Sequence, residues 1–367
     1  MQRHRPTLAV MLAASFLLTE RGSAQSGTIS PRHFATVEAG TSSSGPLANL
    51  QVRNRYQQIH DDLPIRSRLI RGLAFRRDSV RATFTAFSME LELRMSDANR
   101  SSAAPSANFD DNLRSNPLLV FARRSLNFPA SAFRREMPAP FEYVIPFDQP
   151  FSLSSSVCWE MLTFSRSATS NVRFDAVEAP LGDLDPGLST QQVGGGCEAT
   201  GRTGPMRAAG AFVHDWPNGT FRATFGSENG PASGAHIATI GFDNLQWLGI
   251  PLPFEIPGSN VGPSGRCFVH NDILRAVGGN SNAAGVFTTG QLNLVLDTNL
   301  HGITFHHQVV ALDASANASG FVTSDSLARQ IVAPFPRPSV ARIELFGGQG
   351  ATGNVRIGSG LITRFLD

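Results

Sequence analysis

Residues 87–96 read FSMELELRMS. Phe87, Met89, Leu91, Leu93 and Met95 occupy the odd positions, and Ser88, Glu90, Glu92, Arg94 and Ser96 the even ones. An extended chain points successive side chains to opposite faces, so this stretch is a half-buried β-strand with its polar side to water.

The same rhythm recurs along the chain. QLNLVLD (291–297) puts Leu292, Leu294 and Leu296 on one side, and ARIELF (341–346) and GNVRI (353–357) repeat the pattern. TFRATF (220–225) and AHIATIGF (235–242) are shorter cases. Turn signals separate them, among them Pro217-Asn218-Gly219, Glu228-Asn229-Gly230-Pro231 and Gly278-Gly279-Asn280. Strands of this length at this spacing predict an all-β chain of two antiparallel β-sandwich modules, jelly-roll-like or immunoglobulin-like. The 26 phenylalanines, against two tyrosines, suit strands and fill cores. Only two local exceptions are expected: a short helix over Arg53–Asp61 and a turn over Asp325–Gln330.

The boundaries follow from composition. Arg3, His4 and Arg5 precede the apolar run TLAVMLAASFLL (7–18), and Gly22-Ser23-Ala24 supplies small residues for cleavage, so residues 1–24 read as a secretory signal. The run is too short to span a bilayer, which takes about 20 apolar residues, and no later stretch could span one. Residues 25–45 are poor in apolar side chains and are expected to be loose, or a lone edge strand. Residues 46–188 form the first module, with a long loop at 96–116. The junction APLGDLDPGLSTQQVGGGC ends in a linker at 189–196, and residues 197–367 form the second module.

Without residues 1–24 the chain has 28 arginines and 28 acidic residues. A neutral chain has no global attraction to nucleic acid or to anionic membrane. Every basic side chain is arginine. The absence of lysine excludes a phosphate-loop lysine, a Schiff-base lysine and a serine–lysine dyad.

One order of motifs points further. RYQQIHDD (55–62), IRGLAFRRD (70–78), NFDDN (108–112), FARRSLNFPA (121–130) and IPFDQPF (145–151) are followed by a glycine-rich cysteine segment. Then come ATIGF (238–242), LPF (252–254), CFVHND (267–272) and HGITFHHQVVALDASANASGFVTSDSL (301–327). This order resembles large groups of secreted proteins of planctomycete and related bacteria, to which no activity is assigned. The resemblance implies export, a two-block layout and a β-rich fold, and it carries over no catalytic residue. Those proteins commonly have a small or aliphatic residue where this chain has His306 or His307, which weakens a shared role for either.

His306 and His307 are adjacent on a strand and point to opposite faces, and His301 lies about 20 Å from His307, so no pair of them shares a metal. Cys197 and Cys267 are the expected disulfide, with two free thiols as the alternative; the resemblance is consistent with the same pairing. Cys158 is expected to be a lone buried thiol. The GxSxG and HExxH patterns are absent. Glu90 and Glu92 share a strand face about 7 Å apart, which is within reach of a two-carboxylate glycosidase and is also how a solvated face looks. Asp97, Asp110 and Asp111 are the acids from which a calcium site would be built, although their loop lacks DxDxDG spacing. Trp159 reads as core and Trp247 as undecided. Trp216, in HDWPNGT beside Asp215 and Asn218, is the candidate sugar contact, with packing on its turn as the alternative. The arginines at 53, 55, 66, 68, 71, 76, 77, 123, 124, 134 and 135 make the first block basic or are balanced by acids elsewhere.

The expectation is therefore an exported, non-enzymatic protein of the cell surface or periplasm, needing no cofactor. It would bind polysaccharide or other envelope proteins. A carboxylate-dependent secreted hydrolase and a structural envelope component are the rivals. The exported form should begin at Gln25; intact-mass measurement of secreted protein tests this, and a mass that retains residues 1–24 would contradict it.

Overall fold

The computed structural model describes residues 27–39, 41–43, 45–48, 53–64, 68–78, 85–132, 138–153, 156–167, 172–177, 190–215, 218–332 and 339–367. Among them helix is confined to isolated short turns, and the fold is antiparallel β throughout. The strand read from FSMELELRMS forms as Phe87–Asp97. Its five odd residues are buried and its polar positions from Ser88 to Arg94 are half-exposed.

That strand belongs to a six-stranded sheet ordered Asn354–Ile357, Val340–Leu345, Arg55–His60, Val157–Arg166, Phe87–Asp97, Leu118–Phe128. A four-stranded sheet, Gly27–Ser30, Thr363–Leu366, Arg68–Phe75 and Tyr143–Leu153, shares one apolar core with it. Trp159 sits in that core, stacked on Tyr56 at 5.3 Å and edge-on to Phe75 at 5.8 Å. A second core gathers residues between Cys197 and Ile331. One side of it is the sheet ordered Thr190–Val193, Phe321–Gln330, Thr304–Leu312, Ala235–Gly241, Arg275–Asn280. The other is built on the hairpin of Arg207–Asp215 and Thr220–Glu228. Phe221 and Phe305 stack across the gap at 5.7 Å.

Four expectations are corrected. The predicted helix over Arg53–Asp61 is a strand, Arg55–His60, central in its sheet. Tyr56 to His60 are all buried, so the strand is covered on both faces and shows no alternation. Its polar side chains are bonded inside: Gln57 Nε2 donates to Phe109 O at 2.9 Å, and Gln58 Nε2 to Leu361 O at 2.8 Å. The expected turn at Asp325–Gln330 is the end of the strand Phe321–Gln330, flanked by Thr190–Val193 and Thr304–Leu312. The expected linker 189–196 contains the strand Thr190–Val193, whose backbone pairs with what would otherwise be an open sheet edge. Residues 340–366 do not join the second block. Val340–Leu345 pairs with Arg55–His60, and Thr363–Leu366 lies between Gly27–Ser30 and Arg68–Phe75. The second core is thus an insertion within the strands of the first.

The N-terminal segment is docked, its edge strand being Gly27–Ser30. Phe34 and Val37 are buried beside Val177, Val332, Val340 and Ile362. Arg76, fully buried, holds it there. Its Nε donates to Asp175 Oδ2 at 2.6 Å, and its NH2 nitrogen donates to the carbonyls of Phe34 at 2.9 Å and Val37 at 2.7 Å. Asp175 Oδ1 accepts from Ala39 N–H at 3.0 Å, and Gln330 Oε1, at the end of the inserted unit, accepts from Glu38 N–H at 2.7 Å. Removing one member of such a pair leaves a buried charge. Arg76→Met should cost about 3–5 kcal/mol in a denaturant titration, and adding Asp175→Leu should recover part of it; a loss below about 1 kcal/mol would show that the clamp is dispensable.

Candidate functional site

The residues singled out from sequence are mostly occupied by the fold itself. His307 faces the phenylalanines of the opposing sheet, with Phe225 at 5.2 Å and Phe212 at 5.6 Å, and one ring nitrogen lies 3.1 Å from Ala209 O. His306 lies on the other face, within electrostatic range of Asp243 and Asp272. The His301 ring lies against that of His33, tilted at 51° with centroids 4.3 Å apart. Among the described residues no group of three or more His, Cys, Asp or Glu is placed to hold a metal. Asp110 pairs with Arg55 at 2.6 Å, Asp97 with Arg114 at 3.2 Å, and Asp111 accepts from Ser106 Oγ at 2.9 Å. Glu90 pairs with Arg123 and Glu92 with Arg94, at 2.9 and 2.7 Å. Arg124 pairs with Asp148 at 2.5 Å. The basic block is therefore largely neutralised where it is described; Arg66, Arg134 and Arg135 lie outside the described residues.

Trp216 also lies outside the described residues. Its neighbours serve the turn: Asp215 accepts from Asn218 Nδ2 at 2.9 and 3.0 Å and from Arg222 at 3.3 Å. Cys197 and Cys267 form the disulfide, closing a separation of 70 residues. On the chain-entropy view that loop length is worth roughly 4 kcal/mol. Cys158 is free and buried, and burial pushes its thiol up, away from the reactive thiolate.

A serine, a histidine and an aspartate do meet, at Ser30, His60 and Asp62. Their proton order rules out acyl-transfer chemistry. Gln58 Oε1 accepts from Leu361 N–H and its Nε2 donates to Leu361 O, which settles the amide's orientation. That Nε2 lies 2.9 Å from His60 Nε2, to which the Trp159 indole N–H also donates, at 3.1 Å. His60 Nε2 is therefore the acceptor and Nδ1 carries the proton, donating to Ser30 Oγ at 2.6 Å; the Ser30 hydroxyl in turn donates to Asp62. A nucleophilic serine needs the reverse, a histidine that takes its proton. Ser30 and His60 are both fully buried, so the trio latches the N-terminal strand and is closed to substrate.

The open site is elsewhere. A cleft of about 360 Å³ is lined by Asp243, Gln246, Trp247, Leu248, Asp272 and Leu274, among others. Two chain segments 29 residues apart build it by binding each other. Asp243 N–H donates to Asp272 Oδ1 at 2.8 Å, and Asp272 N–H donates to Asp243 O at 2.8 Å. Gly241 is required here, because a Cβ on it would fall 1.8 Å from Asp272 Oδ1. Asp243 Oδ1 caps the next turn, accepting from Leu245 N–H at 2.7 Å. Trp247 and Ile250 then close a two-residue hairpin turn with Leu248 at φ 50° and Gly249 at φ 81°, the double positive φ of a type I′ turn. A leucine in that conformation is uncommon and points to a use for its side chain. Leu248 is 87% exposed and Leu274 64%, while Trp247 is half-buried. His306 lies beneath with Nδ1 unbonded; burial pushes its pKa down to about 4 against the upward pull of both carboxylates.

Sequence reasoning left Trp247 undecided and missed Asp243 and Asp272. The DN and LG dipeptides of GFDNLQWLGIP mark turns, but nothing local signals that Asp272 folds against Asp243.

No family model matches the chain, and no curated protein matches it. Among solved structures, a chain of the cryo-EM structure of T=1 Penaeus vannamei nodavirus is aligned over 80% of this chain and 89% of its own, at 10% identity. Its TM-score of 0.11 carries no argument about fold or function.

The buried histidines carry a pH signature. Burial pushes His60 down to about 3, and His214, His306 and His307 down to about 4. Each is neutral in the fold and takes a proton near pH 6.5 when unfolded. Their contribution to stability is thus complete above about pH 6.5 and is lost towards pH 4, at up to about 1.4 kcal/mol per histidine per unit. Burial raises Asp62 and Asp325, which gives the opposite slope at the acid end. Denaturant midpoints should fall between about pH 6.5 and 5; a flat profile there would mean these histidines are solvated.

Proposed function

We propose that this chain is an exported protein of two β-sandwich units that binds polysaccharide at the cell surface or in the surrounding matrix, with the Asp243–Trp247–Asp272 cleft as its binding site. One observation carries the reading. The cleft places a half-buried indole beside two carboxylates, and among the described residues neither Asp243 Oδ2 nor Asp272 Oδ2 takes a hydrogen bond. A sugar offers an apolar C–H face to such a ring and hydroxyl donors to such oxygens. Export rests on the leader read at residues 1–24 and is supported by the disulfide, which suits an oxidising compartment. No helix among the described residues is long and apolar enough to cross a membrane.

The hydrolase alternative draws on the same two carboxylates. A screen of the mature chain against a panel of oligosaccharides, with product analysis, separates the readings. The binding reading expects retention without cleavage and at least a tenfold loss, about 1.4 kcal/mol, in Trp247→Ala with its thermal unfolding unchanged. Released reducing ends would make the carboxylates catalytic, and retention of no sugar would remove the glycan reading altogether.

A further inference from the structure

The glycan reading leaves the chemistry of the ligand open, and the charges in the cleft narrow it. We infer that the cleft prefers a cationic sugar, a 2-amino-2-deoxy glycan with free ammonium groups, over neutral or anionic glycans. This inference rests on the proposed function above.

The argument begins with what the carboxylates lack. Most other acids singled out in this chain have an arginine beside them: Glu90, Glu92, Asp97, Asp110, Asp148 and Asp175 are all paired. Asp243 and Asp272 form no ion pair among the described residues, no arginine lines their cleft, and the chain has no lysine to supply a charge. What holds their Oδ1 atoms is backbone: Asp243 N–H for Asp272, Leu245 N–H for Asp243. The one basic side chain below them, His306, is only 4% exposed. Two acid groups are thus brought together without a counter-charge, at a ring.

An anionic sugar meets like charge there and finds few donors, since the polar lining beyond the carboxylates is the Gln246 amide and the indole N–H. A neutral sugar can satisfy the two open oxygens with hydroxyls. An ammonium does more. It has three N–H donors, and charge-assisted hydrogen bonds to a carboxylate are roughly twice as strong as neutral ones. The face of Trp247 adds a cation–π attraction for the same group. Leu248 and Leu274, both exposed beside the ring, offer apolar surface to the sugar's C–H bonds. The cleft's volume, about 360 Å³, falls in the range of small-molecule pockets, which favours a sugar ring over a polypeptide segment. Bare calcium is a poorer fit, because it seeks six or more oxygens and the cleft's side chains supply few.

The test uses the mature chain and calorimetry with three probes: a β-1,4-linked glucosamine hexamer, the fully N-acetylated hexamer, and an oligogalacturonate. At mildly acidic pH, where the amines are protonated, the glucosamine hexamer should bind at least tenfold tighter than the acetylated one, and the oligogalacturonate should not bind. The preference should vanish when the pH is raised above the amine pKa, and it should weaken with salt. Asp243→Asn and Asp272→Asn should each erase the preference for the glucosamine hexamer over the acetylated one. Because Asp272 also holds the loop, the pH series on the unmutated chain provides an arm free of any effect of substitution. Equal binding of the glucosamine and acetylated hexamers, or tighter binding of the acetylated one, would overturn the inference and leave the glycan reading standing. Binding of none of the panel's sugars would remove both. Displacement of the glucosamine hexamer by an oligoarginine peptide at equal or lower concentration, or by calcium alone, would show that the cleft selects charge without regard to the sugar, and would also overturn it.

Discussion

A single buried guanidinium joins parts of the chain that lie far apart in sequence. Arg76 reaches Asp175 and the carbonyls of Phe34 and Val37. Asp175 in turn binds Ala39 N–H, and its carbonyl accepts from Ile362 N–H at 3.1 Å. The N-terminal segment, two strands of the first core and the returning C-terminal strands therefore meet at one ion pair. Fixed charges removed from water must be paired and hydrogen-bonded to be tolerated. That requirement gives the seam one geometry, and the apolar contacts of Phe34, Val37, Val332, Val340 and Ile362 close around it.

From that seam the molecule divides in a way that matters for the site. The chain leaves the first core after Phe174–Val177, completes a second core, and comes back at Val340 to finish the first. The cleft lies in loops of the inserted unit. The antiparallel register of Ala235–Gly241 against Thr304–Leu312 sets Gly241 opposite His306. Gly241 admits the Asp272 carboxylate, and Asp272 locks Asp243 at the start of the Trp247 hairpin. A sheet thus positions a loop that carries an indole and a carboxylate of the cleft.

Much of the fold could be read from residue order. The strands at 87–97, 220–228, 235–241, 292–295, 304–312, 340–345 and 354–357 all follow the alternation in the sequence. Reading failed where alternation was hidden or where a partner was remote. RYQQIH has no apolar rhythm because both its faces are covered, and its glutamines are satisfied by residues about 50 to 300 positions away. QLNLVLD and ARIELF look alike as sequences, yet the first strand lies on the inserted unit and the second on the core around it. The cleft was the least legible feature: Trp247 was visible, but Asp272 gained meaning only from its contact with Asp243.

Local order by itself determined that this chain is built from strands, which side of many of them is buried, that it has no lysine, and that the adjacent His306 and His307 face opposite sides of their strand. The reason is that side-chain alternation and residue inventory are local properties. Which strands are neighbours, how the C-terminal segment re-enters the first core, and which two carboxylates come to share a cleft were decided only by the tertiary structure. Those outcomes depend on hydrogen bonds and ion pairs between residues distant in sequence, and no local pattern encodes such partners.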